Sequence, residues 1–139
     1  MSDAADFVER FRVYWRAPSV DGLDTLLAPD VRLVAPMTPT THTLVEGKRA
    51  FADVLALTPD LTAEVHHWGA TDDGVLIEFT LSGSAAGVLV SWSAVDHIAL
   101  GDDGLARERV SYFDSTPLIL NVLRHPRVWP AFIRSRLRR

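Results

Sequence analysis

The 139-residue chain contains no cysteine, which removes a disulfide scaffold, a thiolate zinc or iron–sulfur site and a cysteine nucleophile from consideration. Stability must come from packing. No apolar run approaches the ~20 residues that a membrane span needs. Met1 to Asp6 carries acids where a signal peptide needs a basic stretch followed by an apolar one, so a cytoplasmic location is expected. Also missing are a Gly-rich phosphate loop, a Gly-x-Ser-x-Gly elbow and any internal repeat. Acid is missing from one region only. From Thr116 onward there are six arginines (Arg124, Arg127, Arg134, Arg136, Arg138, Arg139) and no Asp or Glu, so a net charge of −4 conceals a tail of +6 on a body of −10. An acidic body argues against a duplex nucleic-acid binder with a broad basic face.

What is present suits one globular domain: 47% hydrophobic and 23% charged residues, far from the disordered class. Phe7, Phe11, Tyr14 and Trp15 recur at helical spacing and predict an amphipathic first helix that Pro18 stops. A short second helix with Val20, Leu23, Leu26 and Leu27 follows, ended by Pro29. Val31 to Met37 reads as a strand, residues 38–43 as a threonine-rich loop, and Gly47 as the opening of a third helix running from about Lys48 to Leu57. The pattern then changes to extended segments broken by Asp72-Asp73-Gly74, Gly83 to Gly87 and Gly101 to Gly104. Four antiparallel strands are expected, near 62–70, 75–82, 88–100 and 105–114. The fold class is α+β, with helical spacing returning after Pro117.

Two strands point to a sheet contacted on both faces. Val75, Ile77, Phe79 and Leu81 share one face and Leu76, Glu78, Thr80 and Ser82 the other, because side chains alternate. In the next strand Asp96 lies in an otherwise apolar row with Val88, Val90, Trp92, Ala94 and Ile98. An aspartate there is exposed at a strand end, paired with a cation such as Arg109, or held in a pocket at a shifted pKa. His66 and His67, as strand neighbours, point to opposite faces, so no shared metal ion is expected. His42 is read as a solvated loop residue.

Glu46-Gly47-Lys48 opening the third helix, Val90-Ser91-Trp92 through Asp96-His97-Ile98, the Gly101-Asp102-Asp103-Gly104 hairpin and the run from Arg109 to Asp114 occur in that order. Together they resemble the SnoaL-like branch of the nuclear transport factor two-like superfamily, over nearly the whole chain up to Pro117. The resemblance implies a cone-shaped, curved antiparallel sheet wrapped around the N-terminal helices, with an apolar pocket inside. Members include ketosteroid isomerases, polyketide cyclases, epoxide hydrolases and binding proteins without chemistry, so the fold alone fixes no function. Carried over by position, the isomerase's general base falls on Ala35, its tyrosine near Phe11 with Tyr14 a turn away, and its neutral aspartic acid on Asp96; that enzyme is the standard example of a carboxylic acid kept protonated by an apolar site. The working groups of the epoxide hydrolase fall on Ser82, Thr80 and Ser111, so one of the isomerase's three groups is present and none of the hydrolase's.

The same alignment orients Leu33, Ala35, Met37, Glu78, Thr80, Ser82, Trp92, Asp96, Arg109, Ser111 and Phe113 into the pocket, with Tyr14 and Trp15 lining it from the first helix. Glu78, Asp96 and Arg109 would form its polar centre, as acid/base groups for isomerisation, cyclisation or dehydration, or as a structural network. A hydrophobic ligand of polycyclic, polyketide-like or steroid-like kind is expected, without metal or other cofactor. A homodimer is expected through the outward strand faces, assigned to Val75, Ile77, Phe79, Leu81, Leu89, Val95, Val110 and Tyr112. Residues 1–116 would form the cone and 117–139 a basic helical extension packed on it through Leu118, Ile119, Val122, Leu123, Val128, Trp129, Phe132, Ile133 and Leu137. Contact of that extension with a membrane surface is not the favoured arrangement.

Overall fold

A computed structural model describes residues 3–137; Arg138 and Arg139 lie outside the described residues, as do the side chains of Phe132 and Arg136. The order is α1 (Asp3–Arg16), a 3-10 turn (Asp21–Thr25), β1 (Leu27–Val34), α2 (Leu44–Leu57), β2 (Thr62–Ala70), β3 (Gly74–Ala85), β4 (Val88–Leu100), β5 (Ala106–Tyr112), α3 (Thr116–Arg124), a 3-10 turn (Pro126–Val128) and α4 (Trp129–Leu137). It is an α+β fold with an open sheet in the order β1-β5-β4-β3-β2. Among the described residues no helix is long and apolar enough to cross a membrane.

The sheet is mixed where an antiparallel one was expected. β2 to β5 form an antiparallel meander, and β1 joins β5 in parallel at the edge. The edge position also explains why β1 starts at Leu27 and carries Pro29 within it: an edge strand has one row of unpaired N–H groups, so a residue without an N–H costs no ladder bond. The register is irregular there, between Leu27 and Arg32. Helix α2 begins at Leu44, three residues before Gly47, because the Thr43 hydroxyl accepts a hydrogen bond from the Glu46 N–H and caps it. Gly47 is instead a close-approach position. A Cβ there would lie 2.6 Å from Leu33 Cδ1.

The core forms between α1, α2 and the inner face of the sheet. Phe7, Val8, Phe11, Tyr14 and Trp15 are all buried, and the Phe11 ring meets Phe79 edge-on at 5.2 Å between centroids. Phe51 of α2 packs edge-on against Trp15 at 5.8 Å.

That core corrects the orientation of β3. Val75, Ile77, Phe79 and Leu81 are buried on the inner face, so they belong to the core and not to an outward interface. They stand opposite Ile98, Asp96, Ala94 and Trp92 of β4. Glu78, Thr80 and Ser82 therefore take the outer face. Since strand parity has period two, the inner set can only be one of the two rows, and the fully apolar row goes against the helices.

A second correction concerns the histidines. A register shift between Val65 and His67 inserts a bulge that brings both imidazoles to the outer face, where His66 Nε2 lies 2.8 Å from Thr80 Oγ1 and His67 Nδ1 lies 3.5 Å from Glu78. Among the described residues no group of three or more His, Asp or Glu side chains is placed to hold a metal ion.

The C-terminal segment lies on the body, α3 against β4 and α4 against α2. Val128 is buried with Ala85 and Val88, with Leu57, Val90 and Val122 packed around them. The apolar side chains do not all pack. Leu118 and Val122 are half-buried, while Ile119, Leu123, Trp129, Ile133 and Leu137 are exposed. Each helix has only nine residues, so about one side chain per turn can reach the body.

Candidate functional site

Two chambers lie between sheet and helices. The inner one, about 190 Å³, is lined by Trp15, Leu27, Leu33, Ala35, Thr38, Thr41, Gly47, Phe51, Val54, Phe79, Leu81, Trp92, Arg109, Ser111 and Phe113. The outer one, about 170 Å³, is lined by Pro36, Met37, Thr38, Asp53, Val54, Leu57, Trp92 and Phe113, and by Leu118, Asn121, Val122 and Val128 of the C-terminal segment. Pro36, Thr38, Val54, Trp92 and Phe113 line both. The Trp92 and Phe113 rings, 6.4 Å apart between centroids, thus stand at the partition. Each volume is more than ten times what a single water needs.

The strands place the polar groups at one wall. Asp96 on β4 stands directly across from Ser111 on β5, and Arg109, two residues earlier on β5, faces Ile98. On its other side Arg109 is level with Leu33 of β1. Asp96 is 1% exposed, and its Oδ1 has no hydrogen-bond partner. Burial raises its carboxyl pKa above the ordinary aspartate value; the Arg109 charge and a hydrogen bond from Ser111 pull the other way without prevailing. Ser111 and Arg109 line the inner chamber, and Asp96 sits behind them. Arg109 Nε and Thr41 Oγ1 are also buried without a partner. Such atoms are costly in an apolar setting.

Of the residues expected at the site, Trp15, Leu33, Ala35, Trp92, Arg109, Ser111 and Phe113 line the inner chamber, and Met37 lines the outer one with Trp92 and Phe113. Met37 has φ 68°, a left-handed conformation uncommon for a residue with a Cβ and frequent at ligand sites. Three expected residues belong elsewhere. Glu78 is half-exposed on the outer face beside His67, Thr80 bonds His66 and Ser93 on that face, and Ser82 is exposed there. The triad of Glu78, Asp96 and Arg109 therefore does not form, and the polar centre is Asp96, Ser111, Arg109 and Thr41. Tyr14 is in the core, its hydroxyl donating to the Ser19 carbonyl at 2.8 Å; burial pushes that phenol well above its ordinary pKa.

Thr41, Phe51, Val54 and Val128 were not picked out as pocket residues in the sequence. Thr41 reaches the site through an isolated bridge to Leu33, for which a loop sequence has no periodic signal. The spacing of Phe51 and Val54 on one helical stripe was the available clue.

A family profile described as the SnoaL-like domain matches residues 8–109. No curated protein matches the chain in sequence. Several solved structures share the fold. A protein assigned as a SnoaL-like polyketide cyclase from Jannaschia sp. CCS1 has a TM-score of 0.75 at 17% identity, covering 86% of this chain and 91% of its own. TerC, co-crystallised with polyporic acid, has 0.76 at 18%, covering 87% and 98%. An LEH-like epoxide hydrolase from M. tuberculosis has 0.72 at 18%, covering 94% and 95%. At these identities the likeness carries the fold alone.

Proposed function

The chain belongs to the SnoaL-like domain family, and on that premise we propose that it binds a hydrophobic small molecule, polycyclic, polyketide-like or steroid-like, in the chambers between sheet and helices. The observation that carries this reading is an inner chamber with aromatic walls, Trp15, Phe51, Phe79, Trp92 and Phe113, whose charged and hydroxyl groups converge on one side. Apolar walls with a few convergent polar groups are the usual make-up of a small-molecule site, and flat rings offer offset and edge contacts to a planar ligand. A neighbour of the same fold was crystallised with polyporic acid, which supports a ligand of that general kind.

A second reading, acid/base isomerisation, cyclisation or dehydration of the bound molecule, is favoured by the pair Asp96 and Ser111. A carboxyl shifted toward its neutral form by burial lies beside a hydroxyl that lines the chamber; with that hydroxyl turned to accept from the acid and to donate its own proton to the ligand, a proton is relayed from Asp96 through Ser111. The chemistry needs no cofactor. Residues 117–139 act in this reading as a cover on the domain formed by residues 1–116, since four of their side chains close the outer chamber. The outer sheet face, with Leu76, Leu89, Val95 and Tyr112 exposed, is the surface through which two copies would pair.

Saturable quenching of tryptophan fluorescence by a neutral polycyclic probe, 9-anthracenemethanol, tests the binding reading. Val54 borders both chambers, so Val54→Trp should abolish saturation while far-UV circular dichroism stays unchanged. Saturation that persists in a folded Val54→Trp variant, or that never occurs in the parent chain, overturns it.

A further inference from the structure

Five other cations of the body have partners for their side chains. Arg12, Arg32, Lys48 and Arg107 each meet a carboxylate near the surface, at 2.6 to 2.8 Å. Arg10 donates to the Thr25 and Gly104 carbonyls, both at 2.7 Å. Arg109 forms no ion pair within 4 Å among the described residues, its charge acting at longer range on buried Asp96, and its Nε is buried with no hydrogen-bond partner. Its guanidinium lies in the wall of the inner chamber. A cation in an apolar setting is costly until an anion joins it.

Thr41 has the same defect a short distance away. Its Oγ1 is buried and unpartnered, and it lines the same chamber. The sheet brings the two groups together. Leu33 is level with Arg109 on one side. On the other side Thr41 is bridged to Leu33, with N–H to carbonyl bonds of 2.9 and 3.1 Å in the two directions. Thr41, Leu33 and Arg109 therefore form one row across the sheet edge. Thr41 and Arg109 thus flank Leu33, and all three line the chamber.

We propose that the inner chamber is built for an apolar acid: a flat hydrophobic skeleton whose delocalised oxygen anion, a carboxylate in the simplest case, is received by Arg109 and Thr41. This rests on the reading of the chamber as a ligand site. The carboxylate nearest Arg109 does not take the anion's place. Asp96 lies behind Ser111 and does not line the chamber, so it does not stand in the space a ligand would occupy; burial raises its carboxyl pKa while the Arg109 charge opposes that rise. A neutral ligand of the same shape would fill the apolar space and leave that charge uncompensated.

The test compares 2-naphthoate with 2-naphthamide, equal in shape and different in charge, by calorimetric titration of the full chain. Naphthoate should bind about ten to a hundred times more tightly than the amide, the range expected for hydrogen bonds to a charged group. Arg109→Gln should bring the ratio close to one by weakening naphthoate far more than the amide, and Thr41→Val should lower naphthoate affinity several-fold. Should Arg109→Gln fail to fold, the ligand pair on the parent chain and the Thr41→Val comparison still decide. Equal affinity for acid and amide overturns the anion assignment and leaves the binding reading standing. Binding of neither, together with no saturation by 9-anthracenemethanol, overturns both.

Discussion

Replacing Phe79 with alanine, and separately its neighbour Thr80, tests the orientation of β3 on which the whole description of the chambers depends. Phe79 is 3% exposed and its ring packs edge-on to Phe11 at 5.2 Å and stacked with Trp15 at 6.4 Å. Truncating a buried Phe to Ala costs about 3–5 kcal/mol, because the lost transfer free energy is joined by a cavity that α1 and α2 can only partly fill. Against a total stability of about 5–15 kcal/mol that is a large fraction. With a urea slope of about 2 kcal/mol/M, the unfolding midpoint should fall by about 2 M. Thr80 makes hydrogen bonds to His66 at 2.8 Å and Ser93 at 2.9 Å, but on the outer face, where water replaces both partners. Thr80→Ala should therefore cost only about 1 kcal/mol or less. Urea unfolding followed by tryptophan fluorescence measures both. Phe79→Ala should also loosen the inner chamber, which its ring lines. A Thr80→Ala loss equal to or larger than that of Phe79→Ala would refute the orientation, and with it the exclusion of Glu78, Thr80 and Ser82 from the site.

Two further outcomes are expected. Because the folded-state pKa of Asp96 is raised by burial, its neutral form contributes stability that is fully present below the unfolded value near ~3.9 and is lost as pH rises through the folded value. The stability of the parent chain relative to Asp96→Asn should therefore fall with rising pH across that window, at no more than about 1.4 kcal/mol per pH unit, and then level off. Urea midpoints between pH 4 and 8 read this directly, and a difference that is flat or rises with pH contradicts it. For the outer face, sedimentation equilibrium at micromolar concentration should show a dimer, and Tyr112→Arg with Leu89→Arg should give a monomer with the unfolding midpoint of the single domain preserved. A parent chain that sediments as a monomer removes the pairing.

Elements and their order were legible in the chain because their signals are local. The spacing of Phe7, Phe11, Tyr14 and Trp15 is a property of one helix, and the turns at Asp72 to Gly74 and Gly101 to Gly104 are properties of a few residues. The odd position of Asp96 in an apolar row was also visible, and of the placements open to it the structure shows burial. Alternation in β3 likewise identified two rows of side chains. Which row faces the helices was settled only by packing: the row Val75, Ile77, Phe79 and Leu81 has no polar group to hydrate, whereas Glu78, Thr80 and Ser82 find partners or water outside. Orientation carried over from a resemblance reversed that choice for β3, since a single residue of offset between two strands exchanges their faces. Long-range pairing decided the rest. The parallel register of β1 with β5, the bridge from Thr41 to Leu33 and the bulge beside His66 depend on residues far apart in sequence, and no local periodicity encodes them. Local patterning therefore established a helix-clad sheet with one aspartate in an apolar row, and left open whether that carboxylate was exposed, paired or pocketed. Packing in turn set Arg109 and the loop residue Thr41 in the lining of one chamber, because that chamber exists only once the sheet edge has closed on α2.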